Sequence, residues 1–241
     1  RIIIPGVIIT ISWILRVHHV PTFWEVGLLV MHISFALFLI VLFWILYIAL
    51  EPFVRRRWPR ILVTWTRLLS GEWHDPLVGR DLLAGCATGI ALVLCVQATI
   101  VAPSWLGHPE EKLTRAYLAT DVGLFVSRLL DEVVVRGITQ GLGVLFLLFL
   151  LRVLLRRDWL AVSASVLVFT TLVTLPQGAR WIVAPIHFVS FILYFFVLMR
   201  VGLVSSLLGT IVLYALNDFP VTFQTSAWYS SSGYAAIILI V

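Results

Sequence analysis

Charge is scarce in this chain. Asp, Glu, Lys and Arg make up 12% of its 241 residues, about half the roughly 25% of an ordinary soluble domain. Hydrophobic residues make up 61%, more apolar surface than a core of this size can take in, so the excess must face lipid. A net charge of +5 could point to nucleic acid. The arginines, however, punctuate apolar runs and do not line one face, which is a topology signal and leaves no nucleic-acid partner. Cysteine is nearly absent. Cys86 and Cys95 stand nine positions apart in one run, about 13 Å along a helix, so they cannot bond to each other and no redox compartment follows. No His/Cys/carboxylate cluster has zinc spacing and HExxH is missing, so no metal site is expected.

Long apolar runs are abundant. They fall at 2–15, 26–50, 82–102, 122–151, 159–175, 182–199, 201–219 and 234–241. The expected fold is an all-α polytopic transmembrane bundle of seven or eight spans, the first and last partial because they fall short of the roughly 20 residues a bilayer needs. Alternating spans place Arg1, the arginines of the 55–80 stretch, Arg152, Arg156, Arg157 and Arg200 on one side. Only Arg16, Lys112, Arg115 and Arg180 fall on the other. The eleven-to-four split makes the "RRRWPR" side cytoplasmic, in a bacterial inner membrane. Arg1 is no natural start and the last run cannot cross alone, so the chain is expected to be part of something longer.

Three regions follow: N-terminal transmembrane helices over 1–51, a cytoplasmic or interfacial amphipathic linker over 52–81, and a transmembrane bundle over 82–241. Within the linker, 60–69 mixes Ile, Leu, Val and Trp with Arg at helical spacing, and Gly71 offers a stop. A short helix lying in the inner interface is expected there, with an anchoring role. Gly85 with Gly89, and Gly137 with Gly141, are small-xxx-small pairs that mark close helix contacts, since lipid supplies no hydrophobic push between helices. The ten tryptophans, Trp24, Trp58, Trp73, Trp105, Trp159 and Trp181 among them, fall largely near span ends as interface belts do.

Against this background "SRLLDEVVVRGITQG" is anomalous, with Arg128, Asp131, Glu132 and Arg136 inside one span. Each charge costs about 2.5–3.5 kcal/mol at a bilayer centre on insertion scales. Helical spacing offers relief: Arg128 with Glu132 and Glu132 with Arg136 are i, i+4, and Arg128 with Asp131 is i, i+3. The turn is then either a self-neutralised network that fixes helix packing or a catalytic or substrate-polarising site, since intramembrane ionisable groups are functional candidates.

"DEVVVR" resembles the first motif, EExxxR, of the CPBP family, the membrane-embedded CAAX prenyl endopeptidases and their bacteriocin-processing relatives. The resemblance covers residues 82 to 241. It implies a site completed by FxxxH and HxxxN motifs on later helices, in which a glutamate activates water while histidines and an asparagine position it or stabilise the oxyanion. Here Glu132 and Arg136 match the second glutamate and the arginine, and Asp131 replaces the first glutamate. "VAPIH" keeps His187 with Val183 in place of phenylalanine, and "LYALN" keeps Asn217 with Leu213 in place of histidine. One missing oxyanion donor typically costs about 10²–10³ in rate, and the charged turn falls in the outer half whereas prenylated substrates are cytoplasmic. Asp131, Glu132, Arg136, His187 and Asn217 are therefore read as a vestigial catalytic set in a degenerate relative.

Residues 47–85 are similar to the segment that introduces the membrane region of some acidobacterial serine/threonine protein kinases. No glycine-rich loop, catalytic Asp-Asn pair or DFG is present, so no kinase activity follows. His32 and His187 are candidate ligands for a haem iron or a chlorophyll magnesium, although a lone membrane histidine is more often hydrogen-bonded within its bundle. The sequence requires no cofactor, and bound lipid or pigment is compatible with it. The expected function is a non-catalytic membrane scaffold or anchor, partnered by lipid and other integral membrane proteins in a signalling, photosynthetic or respiratory assembly. The alternative is an intramembrane endopeptidase.

Overall fold

The computed structural model describes residues 3–16, 22–108 and 122–219, with a few isolated positions beyond. The side chains of Glu132, Val133 and Val134 lie outside the described residues, as do Lys112, Arg115 and most of the last apolar run. Among the described residues every regular element is helical: α1 (Ile3–Arg16), α2 (Phe23–Arg57), α3 (Pro59–Ser70), α4 (Pro76–Trp105), α5 (Val122–Arg128), a π-helical segment (Leu129–Arg136), α6 (Gly137–Leu155), α7 (Asp158–Thr174), α8 (Arg180–Arg200) and α9 (Leu203–Asp218).

Among the described residues, four stretches are long and apolar enough to cross a membrane: Phe23–Val54, Pro76–Trp105, Gly137–Leu155 and Arg180–Arg200. Three further apolar helices are shorter, Gly6–Arg16, Asp158–Thr174 and Leu203–Asp218. At 1.5 Å per residue the last two reach about 24–26 Å, under the roughly 30 Å of hydrocarbon. The run expected as one span over 122–151 is a continuous helical rod from 122 to 155. Its charged middle leaves only the α6 part sufficiently apolar. The long helices turn bulky apolar side chains outward, such as Leu83 and Leu154, each more than 70% exposed. On a soluble protein that surface would aggregate; against lipid it is the ordinary exterior.

The segment expected as a short amphipathic helix is α3. Pro59 starts it, where its missing N–H would have no partner anyway. Gly71 stops it in the left-handed conformation at φ 91°, accepted cheaply only by glycine, while Glu72 N donates to the Arg67 carbonyl at 3.0 Å to close the cap. Ile61, Leu62 and Thr64 are its buried face, and α3 packs on α2, α4, α8 and α9.

Close backbone approach organises the bundle's centre. α9 packs most extensively on α4. A Cβ on Gly85 would come 2.9 Å from the Ser205 carbonyl, and one on Gly89 would come 2.5 Å from Val212 Cβ. These pairings advance together, so α4 and α9 run parallel. On the other side of α9, Gly137 meets Ile211 and Gly141 meets Leu207. Those pairings run in opposite senses, so α6 is antiparallel to α9. Both glycine pairs therefore dock on one helix, and α9 is held between them. The main core gathers around Leu145, Leu148, Phe195 and Leu198. A smaller one, Ile9, Ala36, Leu39 and Phe43, joins the α1–α2 hairpin to Val135, Ile138 and Leu142. Arg152 and Asp158 form an ion pair across the α6–α7 turn.

Candidate functional site

The charged turn is π-helical from Leu129 to Arg136. Its ladder closes at i→i+5 where an α-helix closes at i→i+4, a rare backbone form that concentrates at functional sites. The side-chain spacing assumed for an ordinary helix is therefore changed here. The segment packs against α1 and α9, and its described polar contacts reach both. Arg16 Nη1 donates to Asp131 Oδ2 at 3.4 Å, between side chains that are 49% and 37% exposed. One turn away Ser12 Oγ donates to the Ser127 carbonyl at 2.9 Å, fixing α1 to the rod.

On the α9 side, the Arg136 guanidinium lies 4.6 Å from the centroid of the Tyr214 ring, the geometry of a cation–π contact. Tyr214 in turn donates to Gln140 Oε1. Arg136 and Gln140 are one helical turn apart, so the ring of Tyr214 is gripped at its face and at its hydroxyl by the same rod. Asn217, one turn further along α9, donates through Nδ2 to Oδ1 of its neighbour Asp218 at 3.3 Å, and Asp218 is buried.

The motif residues therefore divide. Asp131, Arg136 and Asn217 sit on two elements packed together, the π segment and α9. Glu132 occupies the same π segment, and its side chain lies outside the described residues. His187 is elsewhere: it is buried on α8, and α8 packs mainly on α4 and α7. The Gln177 amide nitrogen lies 3.1 Å from His187 Nε2 and donates to the Val173 carbonyl at 3.1 Å. His187 thus ties the α7–α8 turn to the start of α8. Leu213, at the position where the resemblance calls for histidine, packs against the main core. The other histidine weighed as a cofactor ligand, His32, donates from Nε2 to the Ile9 carbonyl at 3.1 Å and stacks on Trp13 at 5.2 Å. Among the described residues, no three His, Cys, Asp or Glu side chains are grouped to hold a metal ion.

A second polar cluster, absent from the motif reading, lies near the start of α4. The Asp81 side chain is fully buried. It accepts from Thr64 of α3 and, at 2.7 Å, from Arg80 Nη2. Its backbone carbonyl accepts from Ser205 Oγ of α9 at 2.7 Å. Three helices meet on this one residue. The signal for it in the sequence was an aspartate that opens an apolar run directly after an arginine. Tyr214 and Gln140 were also overlooked; Tyr214 lies inside "LYALN" and Gln140 one turn past Arg136. Comparison with protein-family models, curated proteins and solved structures gives no match for this chain.

Proposed function

We propose that this chain is a multi-pass scaffold of a bacterial inner membrane, crossing seven or eight times with the "RRRWPR" end in the cytoplasm. It holds other integral membrane proteins in place and cleaves nothing. The parallel run of α4 and α9 and the antiparallel run of α6 accord with that alternation. The observation that carries the reading is the Arg136–Tyr214–Gln140 contact. The arginine of the first motif stacks on an aromatic ring of the neighbouring helix, and His187 is engaged with Gln177 on another pair of helices. A hydrolytic centre needs its base and its oxyanion donors converging on one point.

The reading predicts that gentle detergent extraction from native membranes yields a stoichiometric complex, identified by mass determination. Recovery of the monomer alone under every mild condition overturns it. The endopeptidase reading draws support from the π-helical backbone beside Asn217. It requires a peptidase activity that disappears in Glu132→Ala and His187→Ala; an unchanged product profile in both variants ends it.

A further inference from the structure

An apolar groove opens between α2, α3, α6 and α9. Its walls include Val54, Leu62, Leu145 and Leu203, with Glu51 and Thr66 as its polar members. The stretch of α6 that lines it, from Ile138 to Leu145, runs about 10 Å along the rod. The groove is therefore a slot along the long helices, with the amphipathic α3 as one wall.

Arginines stand beside that wall, where α2 gives way to α3. Arg57 follows Val54 by three residues on the same face of α2. The backbone of Arg60 and Ile61 lies against Gly202, next to the groove residue Leu203, and Arg200 precedes it by two positions. Arg57, Arg60 and Arg200 are exposed, and among the described residues none of the three has an acidic partner. Glu51 sits six residues before Arg57, about 9 Å further along α2. Apart from Glu51 and Thr66 the slot is lined by apolar side chains, so a hydrocarbon chain belongs in it and a phosphate at the exposed arginines. An apolar slot beside exposed cations suits an anionic molecule with a hydrocarbon chain.

We propose that the groove is a binding site for an anionic phospholipid, with one acyl chain between α3 and α6 and the headgroup phosphate on Arg57 and Arg60. The site is independent of whether the chain acts as scaffold or peptidase. Each arginine near an anionic lipid contributes about fivefold in affinity, so two contribute about thirty-fold.

The test uses the full chain in nonionic detergent with equimolar phosphatidylglycerol and phosphatidylcholine, read by native mass spectrometry. Phosphatidylglycerol is expected to be retained preferentially, and Arg57→Gln/Arg60→Gln is expected to lower that preference about thirty-fold. Both side chains are exposed, so this variant folds. Acyl-chain placement is read separately with brominated phosphatidylglycerol, whose bromines quench nearby tryptophans. Trp65 lines the groove, and Trp65→Phe is expected to remove a quenchable component. Equal retention of the two lipids by the native chain, or quenching unaltered by Trp65→Phe, overturns the proposal.

Discussion

α9 ends in two polar junctions of opposite character. Near its start, Ser205 reaches Asp81, and the carboxylate is sealed from solvent beside Thr64, with Gly85 and Gly89 bringing the backbones together. Near its other end, Tyr214 meets a charged π segment whose aspartate is 37% exposed and bonded to Arg16 across 3.4 Å. The first junction is compact because glycine removes the side chain that would hold the helices apart. The second spreads because long side chains span the gap. Without a hydrophobic force between helices, contact area and enclosed hydrogen bonds set the energy. The first junction should therefore dominate stability, and the second should tolerate change.

Substitutions can break that contrast. The largest effect is expected for Gly89→Leu, whose Cβ would overlap Val212. It should destabilise by about 3 kcal/mol in detergent-mediated unfolding followed by circular dichroism, while Gly27→Leu, where a Cβ meets nothing within 4 Å, should be neutral. Asp81→Ala comes next, at about 2 kcal/mol, because it strands the Thr64 hydroxyl in a buried position. Asp81→Asn keeps an acceptor and should cost about half as much. Tyr214→Phe should cost about 0.6 kcal/mol, the average for interhelical hydrogen bonds in a membrane, since the ring still meets Arg136. Asp131→Asn should change stability least, by about 0.5 kcal/mol or less, as exposed pairs do. A loss for Asp131→Asn larger than for Asp81→Ala would reverse the comparison.

The features legible in the sequence were those with a short-range cause. Apolar runs set the long helices, Gly71 marked the end of α3, and the two glycine pairs marked close helix contacts. That both pairs grip the same helix could not be read, because spacing along one helix says nothing about its partner. The π segment was hidden for a related reason. Its residues fit an α-helical pattern equally well, and only the contacts with α1 and α9 bear on which ladder forms. Asp81 was passed over as the edge of a linker because its burial comes from α3 folding back over α4. In the candidate site, Asp131, Arg136 and Asn217 lie on two packed elements, and no spacing along the chain could say so. The turn that occupies His187 comes from Gln177, a residue outside every motif.

Chain order gives the pinned helix a further consequence. α4 and α6 are made before α9, so the ribosome delivers two bare glycine ridges to the membrane before the helix that covers them exists. α9 thus enters a slot whose width is set by the absence of side chains on α4 and α6.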